Sequence, residues 1–196
     1  MRNIIGAVLA GTVAAIVVLT APAVASPSFE QMRKALLTAG ELPAGLKLIE
    51  DRQETTGDND FAAWDRCDHE TARRADDVRM ISMDYATDTA GGARVSLFLG
   101  APGAEEAQSI VSSLVDAARR CPEEILGTVA DPSPVTQWVH PRLGDTSLVF
   151  GHGAVIAQGD VLLYFSTDGL DDAGFTTLVE AAARKLAKHF PSATVR

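Results

Sequence analysis

The chain has little of the residues that signal chemistry or charge-driven binding. It holds two cysteines, four histidines, two tryptophans and two tyrosines in 196 residues. Its only lysines are Lys34, Lys47, Lys185 and Lys188, and no basic run exceeds two residues. Lys and Arg number 17 against 26 Asp and Glu, a net charge of −9. Nucleic acid and anionic headgroups are held through clustered cations, so this charge pattern excludes both as partners. No Gly-x-Ser-x-Gly elbow exists to expose a nucleophilic serine on a strained turn. His69, His140, His152 and His189 never approach the spacing that puts two zinc ligands on one helical face. Asp58, Asp60 and Asp65 lack the Gly and Glu of a calcium loop and read as a solvated acidic stretch. No metal and no cofactor is expected.

What is present begins with the first 25 residues. Arg2 precedes an apolar run from Ile4 to Leu19, and the run ends in Ala23-Val24-Ala25 before Ser26. A basic start, an apolar middle and small residues before the cut describe a secretory signal. Pro22 and its small neighbours suit a cleavage region better than a lipid-spanning helix of about 20 apolar residues. Ser26 stands where a lipoprotein would carry its lipidated cysteine. The expectation is a leader over 1–25, a single domain over 26–196, and a secreted or cell-wall-associated protein without stable membrane insertion.

An oxidising destination gives the two cysteines a meaning. They allow one intramolecular bridge, Cys67 to Cys121. It would close a loop of about 55 residues, worth about 4 kcal/mol in the chain-entropy model. Structural zinc would need further ligands at tight spacing, and none accompanies Cys121.

Hydrophobic spacing predicts a helix from Phe29 to Ala39, with a Ser28/Gln31 capping box and Gly40 ending it. A short strand, Leu46 to Ile49, precedes an exposed polar loop from Asp51 to Asp60. Phe61 to Ala75 carries Trp64 and Cys67 and has no clear period. Strands follow over Val78–Tyr85 and Ala93–Leu99, then a helix over Gly103–Arg120 whose acidic start and basic end match its dipole. Thr146–Phe150, Ala154–Gln158 and Val161–Ser166 read as a meander, with Gly159-Asp160 as a two-residue hairpin turn. A last helix spans Asp171 to Phe190. No internal repeat is legible. Helices and strands without βαβ alternation predict an α+β fold: a curved antiparallel sheet of five or six strands packed by helices, with one disulfide.

The order of these features resembles the actinobacterial PknH-like extracellular sensor domain, the outer domain of a receptor-type serine/threonine kinase, in a secreted and kinase-free form. The residues that carry the resemblance are Leu36-Leu37, Leu42-Pro43-Ala44-Gly45, Trp64, Cys67, the helix ending at Cys121, Gly144-Asp145 and Gly159-Asp160-Val161. Their order carries the likeness. The resemblance implies an α+β sensing module with a cleft for an external ligand and no catalytic residues. A second cysteine pair found in some members is absent.

Three functions are therefore weighed. The first is a secreted, non-catalytic binding or sensing domain for a small molecule or cell-envelope component. Its candidate ligand-binding residues are Trp138, His140 and Gln137, in the segment Val135–His140 between Pro134 and Pro141; the plainer role of Trp138 is core packing. The second is a secreted hydrolase with an unrecognised site near Asp145, His140 and His152. Its plainer alternatives are turn chemistry, with Asp145 bonding its own backbone two residues on, and a solvent-facing His152 at a glycine turn. The third is a protein-interaction module without a pocket.

Overall fold

The computed structural model describes residues 26–56, 78–120 and 143–192. They form an α+β unit around one six-stranded sheet, every neighbouring pair antiparallel. In chain order the elements are α1 (Phe29–Ala35), β1 (Lys47–Thr56), β2 (Val78–Ala86), β3 (Arg94–Gly100), α2 (Ala104–Arg120), β4 (Thr146–Phe150), β5 (Gly153–Gln158), β6 (Val161–Asp168) and α3 (Asp172–His189). The strand order across the sheet is β1-β2-β3-β6-β5-β4. Two meanders thus meet along the β3–β6 seam.

Period-two alternation sorts the side chains onto two faces. One face carries Ile81, Met83 and Tyr85 of β2, Val95, Leu97 and Leu99 of β3, and Leu163 and Phe165 of β6, packed beneath α1 and α3. The other carries Leu148, Val155, Ala157 and Leu162 beneath α2, with Val78 and Met80 at the edge of the same cluster. The β5–β6 hairpin turns at Gly159, whose φ of 54° is the left-handed conformation that the turn requires.

Near the start of the described chain, a strap ties α1 to the sheet. The capping box forms as expected: the Gln31 amide donates to Ser28 Oγ at 3.3 Å, and the Ser28 amide to Gln31 Oε1 at 2.8 Å. The helix ends at Ala35, not Ala39. Leu36 turns into extended backbone, the Tyr85 hydroxyl donates to the Leu37 carbonyl at 2.9 Å, and Thr38 begins a separate 3₁₀ turn over Ala39–Glu41. Glu41 caps that turn and accepts from Lys185 of α3 at 2.6 Å. Arg33 grips the Asp51 carboxylate through two hydrogen bonds. Arg79 holds the Ser26 and Pro27 carbonyls at 3.0 Å each.

The stretch from Asp51 to Thr56, read from its polarity as loop, is strand. It runs in register with Val78–Met83 of β2. Polarity reported exposure correctly, since β1 is solvent-facing along most of its length. It did not report backbone pairing, because an edge strand needs no buried side chains to be hydrogen-bonded on its inner side.

The two halves also repeat one another. Among the described residues each is three strands followed by a helix, and Leu97-Phe98-Leu99 occupies β3 as Leu163-Tyr164-Phe165 occupies β6. Gly103-Ala104-Glu105-Glu106-Ala107 leads into α2 as Gly169-Leu170-Asp171-Asp172-Ala173 leads into α3. Within the helices, Ser112-Ser113-Leu114-Val115-Asp116-Ala117-Ala118 matches Thr176-Thr177-Leu178-Val179-Glu180-Ala181-Ala182. Phe98 lies opposite Tyr164, so antiparallel pairing about these two residues creates a local two-fold normal to the sheet. Such a two-fold would put both helices on one face. The helices break it: α2 covers β4, β5 and β6 on one side, while α3 joins α1 on the other. Among the described residues, the α2 cluster reaches the β1–β2–β3 half only at Val78 and Met80 of β2 and Phe98 of β3.

Candidate functional site

Beyond that cluster, on the same side, the sheet turns polar across β2, β3 and β6. On β2 its positions are Ser82, Asp84 and Ala86; on β3 they are Arg94, Ser96 and Phe98; on β6 they are Tyr164, Ser166 and Asp168. The registers assemble them into rows. Asp84 lies opposite Ser96, Ser96 opposite Ser166, and Ser166 opposite Gly153. In the next row Ser82 lies opposite Phe98, and Phe98 opposite Tyr164. Beyond the first row, toward solvent, exposed Arg94 stands opposite exposed Asp168.

β3 and β6 are the two central strands of the sheet. An antiparallel sheet commonly packs one face on the core and leaves the other polar. Here Ser82, Asp84, Ser96 and Ser166 are half-buried on one face, while their sequence neighbours Met83, Leu97 and Phe165 are buried on the other. The row is closed at the β4 end by Phe150. A Cβ on Gly153 would lie 2.7 Å from the Phe150 ring, so glycine is what lets that ring lie down there. Phe150 and Tyr164 have ring centroids 6.5 Å apart and form an aromatic wall beside Ser166.

The chemistry of this patch is recognition. Each serine hydroxyl can donate one hydrogen bond and accept others, and the Asp84 carboxylate accepts. Cross-strand neighbours stand about 5 Å apart, a spacing that suits a ligand carrying several hydroxyl or amide groups. The flanking rings offer apolar contact to its less polar face.

Most of the residues singled out from sequence are not among those described. Trp138, His140, Gln137, Trp64, Cys67 and Cys121 lie outside the described residues, as do the leader and the histidine His69. Asp145 and His152 are described, and they flank β4 at its two ends. Asp145 accepts from the Gly159 amide at 2.8 Å and from the Ser192 hydroxyl, and Ser192 also receives the Gln158 amide group at 3.1 Å. It ties the β5–β6 turn to the chain after α3, rather than bonding its own backbone two residues on. His152 is not a bare solvent tip: its ring stacks on Phe175 at 5.5 Å, and Nε2 meets Asp172 Oδ1 at 2.9 Å. Each is engaged by its own partner, and the structure does not bring the two together. His189 ends α3, an exposed side chain at the negative end of the helix dipole.

Among the described residues, no group of three His, Cys, Asp or Glu could hold a metal ion, and no helix is long and apolar enough to cross a membrane. Comparison with protein-family models, with curated proteins and with solved structures finds no match to this chain.

Proposed function

We propose that this is a secreted, disulfide-stapled domain that binds or senses a small polar molecule or a cell-envelope component and performs no reaction on it. The observation that carries the reading is the half-buried row Asp84–Ser96–Ser166 at the centre of the sheet, walled by Phe150 and Tyr164. Hydroxyls and a carboxylate held at fixed spacing by rigid neighbouring strands make a recognition surface. Trp138, His140 and Gln137 join the proposal as contacts suggested by sequence, and the sensor-domain resemblance supports the same class of function. Secretion rests on the leader and the Ala23-Val24-Ala25 cut, and the Cys67–Cys121 bridge on the compartment that the leader implies.

The test is a thermal-shift and calorimetric screen of the mature protein against soluble peptidoglycan and glycan fragments. The expected result is a stabilising fragment whose effect falls at least tenfold in affinity in the Ser96→Val and Asp84→Ala variants. Turnover of any fragment, or binding indifferent to both substitutions, would overturn the reading.

A further inference from the structure

We propose that β1 pairs with β1 of a second copy of this chain, in antiparallel register about a two-fold at Gln53, joining two sheets into one of twelve strands. Among the described residues β1 is the terminal strand of the sheet, ten residues long and without proline. Leu48 and Ile49, at 44 % and 56 % exposure, are the large hydrophobic side chains left in solvent among the described residues. Edge strands left open invite pairing, and proteins that avoid it usually do so with charge or bulges. Here the bulge sits between Leu48 and Glu50, at the start of the strand, and the rest is regular.

The charges of the regular part complement themselves. With Gln53 opposite its own copy, Arg52 falls opposite Glu54 of the second copy and Glu54 opposite its Arg52, giving two reciprocal ion pairs on one face. On the other face Asp51 falls opposite Thr55, a hydroxyl able to donate to it, while Arg33 holds the same carboxylate from within the chain. Arg52 is exposed and leans on its own Glu50, so one guanidinium stands between two carboxylates. Neighbouring registers are worse. Centring on Arg52 sets that cation against itself and Glu50 against Glu54; centring on Asp51 pairs Glu50 with Arg52 but sets a carboxylate against itself and runs into the bulge. Opposite charges across a strand pair stabilise and like charges destabilise, so the pattern selects one register.

The experiment is sedimentation velocity of the mature protein across a hundredfold concentration range, with hydrogen exchange on the same samples. The expected result is a dimer whose Gln53-centred amides gain protection with concentration. Arg52→Glu alone and Glu54→Arg alone each weaken dimerisation at least tenfold, because each sets like charges face to face, and the double swap R52E/E54R restores it. A monomer at every concentration overturns the proposal. So does a dimer that survives both single reversals, or a swap that fails to restore pairing while the variant's circular dichroism stays native.

Discussion

Replacing Tyr85 with phenylalanine removes one oxygen and tests whether the strap before β1 is fastened as described. The ring is 1 % exposed, and its hydroxyl donates to the carbonyl of Leu37, itself 1 % exposed, at 2.9 Å. Phenylalanine keeps the apolar packing and leaves that carbonyl without its donor. A buried acceptor deprived of its partner costs about 2 kcal/mol, which in a domain of this size lowers Tm by about 6 °C. Urea and thermal unfolding followed by circular dichroism would measure it, and limited proteolysis should cut earliest between Leu36 and Leu46. Burial first, then the carboxylates of Asp51 and Glu41, raise the phenol's pKa against a smaller opposing effect of Arg33. A raised folded value means the contribution is complete below the unfolded pKa of about 10 and is lost as pH rises through the folded value. The gap between wild type and Tyr85→Phe should therefore be constant from pH 6 to 9 and narrow above about pH 10. A variant within about 0.5 kcal/mol of wild type at pH 7 would refute the reasoning, since that is the scatter of neutral surface changes.

Asp145→Ala should cost about 1–2 kcal/mol through its bonds to the Gly159 amide and Ser192, and free the chain after Phe190 to proteases, while leaving ligand retention unchanged. Gly144→Ala should cost about 3 kcal/mol, because φ is +68° and the new Cβ would lie 2.5 Å from the Ala157 carbonyl oxygen; equilibrium urea unfolding checks it. For Glu41, burial raises the pKa, yet the bonds from Lys185 and from the Thr38 amide and hydroxyl outweigh it and the net shift is downward. Its contribution is present above the unfolded pKa of about 4.3 and lost as pH falls through the lower folded value. Glu41→Gln should accordingly flatten the loss of stability below about pH 4.3 in acid titrations followed by fluorescence.

Local signals read well where one element buries one stripe. The helices α2 and α3 and the Gly159-Asp160 hairpin stand within a few residues of their sequence-read positions, because Leu114, Leu178 and Val179 fix their faces by spacing alone. Strand character from Asp51 to Thr56 was hidden, since it depends on pairing with β2 and not on the residues' own preferences. The repeat was hidden too: two residues fewer separate the acidic start from the Leu-Val pair in α3 than in α2, and the two helices bury different faces of the sheet. The candidate site needed registers. Ser96 and Ser166 are 70 positions apart in the chain yet opposite each other across the β3–β6 seam, and each alone is an ordinary serine in an alternating strand. A polar residue on the non-core face of a strand predicted to lie centrally is the signal that could have found them. Asp145 and His152, weighed with His140 as an orienter and bases, stand on either side of β4, which carries them to opposite ends.

The central claim is that the polar row in the middle of the sheet holds a ligand. Native mass spectrometry of the mature protein purified from its own host tests it most directly, comparing wild type with the Asp84→Ala/Ser96→Val double variant. The expected result is a discrete non-covalent adduct on wild type that is lost from the folded double variant. An adduct of equal occupancy on both proteins would contradict it.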